Sequence, residues 1–350
     1  MRIKITSLGA LATGALAAAV VVAGATTGQA PAAATAGQAG AAAGPAGAAA
    51  GPAGGAKTPA VRTAHLPNCG GDSYRACKGS PWYLYLRDGR WMTFPDATRH
   101  PVEANGKRVD DRPPPFAVSG DGSTIAYVRA RDNRVVARRW PGGKPVVMTV
   151  GTKGVGTNHT DLRLAPDGRR LLVSFADAEK KRPGLVIDTA TGKPLRTIPA
   201  AERPQSFSAD GDEVLSLKVH SDDTIEMLAY PVEDGEPVTD TPYPAVVSEW
   251  ANLALAADGH TVLVHTSPKD KIRAYDLSAR AWTGPAKPIK VKHDVPTLVW
   301  GPGGRLELHT LDGSDQEGRW TTQIYALNPR TGATKRIDKY TIPSGVPKKR

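Results

Sequence analysis

The side chains best placed to do chemistry in this sequence are His159, Arg203, Gln205, Glu249, Trp250, His293 and Asp294. A carboxylate and an imidazole sharing one concavity can move protons. A guanidinium and an amide can hold an anion. An indole in a loop is costly to leave in water, so it binds something or plugs something. Their placement is the clue: Asn158-His159, Arg203-Pro204-Gln205, Glu249-Trp250 and His293-Asp294 each stand just ahead of a short apolar run. Groups so placed meet only if the fold gathers those runs around one axis. They are then expected to be binding groups in one loop-built mouth, with no catalytic role assigned to any of them.

Other chemistries lack their residues. There is no G-x-S-x-G, no phosphate loop, no dinucleotide fingerprint, and no pair of histidines at H-x-x-x-H or H-E-x-x-H spacing. Asp222-Asp223 and the acidic stretch 312–317 read as solvated hairpin tips, so neither a metal nor a cofactor is expected. The only two cysteines, Cys69 and Cys77, lie too far apart for a C-x-x-C redox motif. In an exported chain they are expected to form one structural disulfide.

The elements that must position the seven residues come from a repeat. Its clearest copy is LRLAPDGRRLLVS from Leu162, and the others begin at Phe116, Gln205, Leu253 and Leu298. Aligned on the turn glycines Gly122, Gly168, Gly211, Gly259 and Gly304, the copies are 46, 43, 48 and 45 residues apart. A period in the forties, built of short apolar strands, marks propeller blades rather than helical repeats. On either side of each turn apolar residues alternate, as in Ile125 with Tyr127 and Leu171 with Val173, which predicts strands with one face inward. Asp-Gly between them predicts a tight hairpin. A second hairpin follows in each unit, as in Leu185–Asp188 leading to Thr191-Gly192, and gives four strands per unit.

The stretch from Leu164 to Val173, with Ile187 to Gly192, resembles the WD40-like repeat of TolB-type β-propellers. Its pattern is apolar-Ser-Pro-Asp-Gly, a strand, then a strand ending Asp-x-x-x-Gly. The resemblance spans residues 116–338 and departs from the pattern in places. Only Pro166 and Pro302 precede a turn, and Gly303 stands where the last turn should have its Asp. Upstream, Trp82 to Pro95 reads as the outer hairpin of one more blade. The expected fold is therefore all-β, a single-ring propeller of six four-stranded blades, with five and seven as the neighbouring counts. A strand from Asp338 to Ile342 could close the ring by joining the first blade.

The expected organisation is a signal peptide over residues 1–25, an Ala/Gly/Pro-rich disordered linker over 26–60, the propeller over 61–345 and a basic tail over 346–350. An uncleaved anchor is the alternative for the first segment, and a tethered surface sensor the function that would go with it. The sequence has 45 Lys plus Arg against 34 Asp plus Glu, a net charge of +11. That excess can attract anionic polymers. Its basic residues are not interleaved with aromatics along one face, so nucleic acid is not an expected partner. Together these features predict a secreted or envelope-associated monomer, without a transmembrane segment once the signal is removed. Its role would be a non-catalytic module binding a protein or an anionic envelope polymer. The alternative is a lactonase- or lyase-like enzyme at the channel mouth, which the resemblance to single-ring propeller enzymes implies, with His159, Glu249 and His293 as its acid/base set.

Overall fold

The computed structural model describes residues 59–70, 74–150, 155–176, 182–221, 224–240, 252–266, 271–288, 297–312, 319–329, 331–343 and 345–347. The expected signal peptide, nearly all of the linker, Asp222, Asp223, residues 313–317 and Lys348 to Arg350 lie outside them. By contacts the chain divides into Met1–Gly55 and Ala56–Arg350, and only the second unit is described.

Six antiparallel sheets follow one another along the chain as the blades of a propeller. The first is β1 (Val61–His65), β2 (Trp82–Leu86) and β3 (Trp91–Phe94). The second is β4 (Phe116–Val118), β5 (Thr124–Val128), β6 (Val135–Arg139) and β7 (Val146–Val147), and the third is β8 (Thr160–Leu164), β9 (Arg170–Phe175), β10 (Gly184–Asp188) and β11 (Pro194–Ile198). The fourth is β12 (Glu202–Phe207), β13 (Glu213–Val219), β14 (Ile225–Pro231) and β15 (Val238–Asp240). The fifth is β16 (Asn252–Leu255), β17 (Thr261–Thr266), β18 (Lys271–Asp276) and β19 (Ala281–Pro288). The last is β20 (Thr297–Trp300), β21 (Leu306–Asp312), β22 (Arg319–Leu327) and β23 (Thr334–Pro343).

The core lies between the blades. Ile125 and Tyr127 of β5 pack towards the first blade, with Trp82 and Leu84. Their in-between neighbours Ala126 and Val128 pack towards the third, with Leu171 and Val173. Strand β5 is thus buried on both faces along its whole length, as are β2 and most of β14. This corrects the expectation of one inward face: a second strand sandwiched between two blades needs apolar residues on both sides. Equivalent clusters join the third blade to the fourth, the fourth to the fifth and the fifth to the sixth.

The repeated turn is wider than a two-residue hairpin. The Gly122 amide donates to the Ser119 carbonyl at 2.9 Å, closing a four-residue turn with Gly122 at φ +73. The Asp side chain secures the far side of that turn. Asp121 Oδ1 accepts from the Ser123 amide at 2.9 Å, and Asp167 Oδ1 accepts from the Arg169 amide at 2.9 Å. A carboxylate that satisfies the amide after the glycine fixes the chain's exit into the next strand. Four of the five turns also lean on the preceding blade. A Cβ on Gly168 would sit 2.4 Å from Thr124 Oγ1, and one on Gly122 would sit 2.1 Å from the Val61 carbonyl oxygen. Only glycine allows that approach.

These contacts also place β1. Gly122 rests on the first residue of β1 as Gly168 rests on the first residue of β5, so β1 occupies a second-strand position. The first blade accordingly has three strands among the described residues, where four were expected, and lacks the innermost one. The segment from Asp338 to Ile342 does not supply it. It lies within β23 and pairs with β22, Asp338 opposite Ile324 and Ile342 opposite Trp320. The local hairpin through the Asn328–Gly332 turn wins over a long-range pairing because closing a short loop costs less entropy. The two end blades meet through side chains: Arg62 pairs with Asp338 at 3.0 Å and its guanidinium stands 5.1 Å from the centre of the Tyr340 ring. Cys69 and Cys77 form a disulfide across the loop between β1 and β2.

Candidate functional site

Five innermost strands, β4, β8, β12, β16 and β20, enclose a central cavity of about 480 Å³. Among the described residues, the first blade contributes nothing to its lining. At the turn end a Cβ on Gly120 would sit 2.7 Å from the Trp300 carbonyl oxygen and 3.2 Å from Pro166, so blades two, three and six close up there.

The lining is apolar between its polar points. Leu162, Leu164, Phe207 and Leu253 provide hydrocarbon, and Arg163, Gln205 and Asn252 provide the hydrogen-bonding groups. Strand β8 shows how the sequence builds this wall. Thr160, Leu162 and Leu164 turn away from solvent while Asp161 and Arg163 remain exposed, the two-residue period of a strand with one wet face. Asp161 Oδ2 accepts from Arg163 Nε at 3.0 Å, which orients the guanidinium without burying it. Strand β12 does the same by another device. Pro204 pairs with Ser216 and Ser206 with Leu215, so Gln205 is the extra residue of a bulge, and its amide donates to the Arg203 carbonyl at 3.0 Å. Ser206 and Trp300 also belong to this wall, but Ser206 Oγ and Trp300 Nε1 are themselves buried beneath it, without a hydrogen-bond partner among the described residues.

A second cavity, of about 390 Å³, adjoins the ring where the chain enters the inner strands. It is lined by Ala64, Trp82, the Pro113-Pro114-Pro115 run, Asn158 and Asp161. Asp161 thus faces this hollow while its ion-pair partner Arg163 faces the channel.

The seven sequence-selected residues fare unequally. His159 stands in the turn before β8, half-buried, with its carbonyl accepting from the Ala176 amide at 2.8 Å. Its neighbours Asn158 and Thr160 line the second cavity. Gln205 lines the channel, and Arg203 is exposed two residues before it. Both belong to β12 itself, not to a loop ahead of it, because the strand starts at Glu202. Glu249, Trp250, His293 and Asp294 lie outside the described residues, so the acid/base set of the enzymatic alternative has only His159 within them. Arg163 and Asp161 were not selected from the sequence. The signal that could have found them is their phase in TDLRL, charged at the two positions opposite the leucines.

No family model and no curated protein matches the sequence. Solved structures do. TolB from Acinetobacter baumannii is 15% identical with a TM-score of 0.42, covering 75% of this chain and 62% of that one. The β-propeller domain of Cps50 (Swd1) from Myceliophteria thermophila is 14% identical with a TM-score of 0.39, covering 69% and 73%. The acylaminoacyl peptidase from Pyrococcus horikoshii is 17% identical with a TM-score of 0.45, covering 81% and 46%. The likeness is to propellers of the TolB and WD40 kind. It concerns the fold alone, and the six-bladed architecture rests on the sheet order itself.

Proposed function

We propose that this protein is an exported, non-catalytic propeller whose channel wall binds an extended anionic segment, either an acidic stretch of another protein or an anionic polymer of the cell envelope. The observation that carries this reading is the pair of exposed arginines on adjacent inner strands, Arg163 of β8 and Arg203 of β12, beside the channel-lining amide of Gln205. Arg163 lines a partly apolar cavity and Arg203 stands exposed on the adjacent strand; guanidiniums recognise negative charge, and the hydrocarbon of the cavity rewards a ligand that also has apolar parts. The layout of the first 25 residues and the Cys69–Cys77 disulfide support export.

The test is fluorescence anisotropy with labelled poly-glutamate and polyphosphate, read at low and at physiological salt. The Arg163→Ser/Arg203→Ser double variant should bind about tenfold more weakly and lose much of the salt dependence, since both guanidiniums are exposed, screened charges. Unchanged affinity in the double variant sinks the reading.

A further inference from the structure

The turn end of the ring carries a separate cleft that the channel reading does not use. At four of the five repeated turns the glycine fills the groove against the blade before it: Gly122 on Val61, Gly168 on Thr124, Gly211 on Ala165 and Gly259 on Glu213. The fifth turn is built differently. Gly303 replaces the Asp, Pro302–Gly304 forms a 3-10 turn, and both Gly303 and Gly304 have positive φ. Gly304 no longer meets the fifth blade. Its nearest neighbour is Ala209 of the fourth, 3.8 Å from where a Cβ would lie. The groove that the other turns fill therefore stays open as a cleft of about 770 Å³. That falls within the range of small-molecule sites, about 300–1,000 Å³.

The cleft has a consistent chemistry. Ala209, Ala257, Leu306, Leu327 and the Trp300 ring make its apolar wall. Its charged lining residues are Arg305 and Lys335, and no carboxylate lines it among the described residues. Arg305 is held in place from beneath. Its Nη2 donates to Glu307 Oε1 at 2.7 Å, and Glu307 Oε2 lies 3.0 Å from His309 Nε2. Two cations against the single paired carboxylate behind them leave the cleft positive.

From the apolar wall and the cationic edge we infer that the cleft binds a free amphiphilic carboxylate, a molecule with an unbranched apolar tail and one anionic head. The tail lies along the alanines and leucines and the head pairs with Lys335 and Arg305. This site shares Trp300 with the channel wall but neither of its arginines, so the Arg163→Ser/Arg203→Ser variant leaves it intact.

The test titrates full-length protein with dodecanoate, below its micelle concentration, by isothermal calorimetry and tryptophan fluorescence. Dodecanoate should bind at one saturable site, hexanoate and dodecanol each about tenfold more weakly. Lys335→Glu should lose about tenfold in affinity. Ala257→Leu/Ala333→Leu, both at exposed positions, should abolish binding while keeping the melting temperature of the parent. The Trp300→Phe variant should lose the fluorescence change and retain the calorimetric one. Absence of saturable dodecanoate binding overturns the inference. So does equal binding of dodecanol, equal binding by the filled-cleft variant, or capture of anionic vesicles with no affinity for the free carboxylate.

Discussion

Two glutamates show how position alone sets a carboxyl's role. Glu307 is buried, and burial pushes its carboxyl up, but hydrogen bonds and charge from His309 and Arg305 outweigh that and hold it below the ordinary glutamate range. Glu213 goes the other way: burial and the nearby Asp210 and Asp212 raise it, against weaker help from Ser208 and Arg170. Its Oε2 is buried without a donor where β13 meets the Gly259 turn. A carboxyl raised on folding is neutral more readily in the fold than in the unfolded chain. Its contribution is therefore full below the unfolded value, about 4.3, and is lost as the pH rises through the folded one. Glu213→Gln should raise the melting temperature at pH 7 and leave it unchanged near pH 4. Calorimetric melts of both proteins at the two pH values check this, and an equal offset at both would refute the assignment. Legibility differed in the same way. Asp161 and Arg163 could have been found from strand phase, whereas nothing local distinguishes Glu213 from a solvated glutamate, because its environment comes from the next blade.

At the scale of the element, the repeated turn is where sequence and structure agree most closely. Gly122, Gly168, Gly211 and Gly259 all have positive φ, and each closes the same amide-to-carbonyl turn. Position in the ring then adds a second constraint that the turn itself does not impose. Gly168→Ala meets both the backbone strain and the Thr124 side chain, and should cost about 2–4 kcal/mol. Gly89→Ala, in the turn between β2 and β3 with nothing within 4 Å, meets only the strain and should cost about 1–2 kcal/mol. Urea titrations of the two variants give the comparison, and equal losses would mean the blade-to-blade contact is negligible. The second-strand burial was less legible. A run such as TIAYV is apolar at nearly every position because both its faces are covered, and a two-residue period cannot be read from a strand that has no wet side.

Across the whole molecule, apolar clusters join the first five pairs of neighbouring blades, and among the described residues the joint between last and first shows the Arg62–Asp338 ion pair with Tyr340 instead. The first blade has no innermost strand there, and β23 belongs wholly to the last. The seam is held by side chains where the other joints have packed hydrocarbon, so it should be the first to open. Arg62→Ala removes both the ion pair and the cation–π contact, and should cost about 1–2 kcal/mol. Hydrogen exchange should speed up in β1 and β23 and stay unchanged in β9 and β13. Uniform acceleration through all blades would show that the ring opens as one unit and not at this joint.

The repeat by itself determined five blades, the strand order within each full unit and the place of their turns, and the Trp82 to Pro95 hairpin pointed to a sixth. Those follow from local periodicity and from glycine's access to positive φ, which a linear chain displays openly. Only the tertiary structure decided that β1 sits in a second-strand position, that β23 stays with its hairpin, and that Arg203 and Gln205 lie in a strand. It alone brought Arg163 and Gln205 onto one cavity wall and opened the cleft beside Gly304. Each of these depends on which blade a residue faces, and residues on facing blades stand forty or more positions apart, a separation at which no local pattern survives.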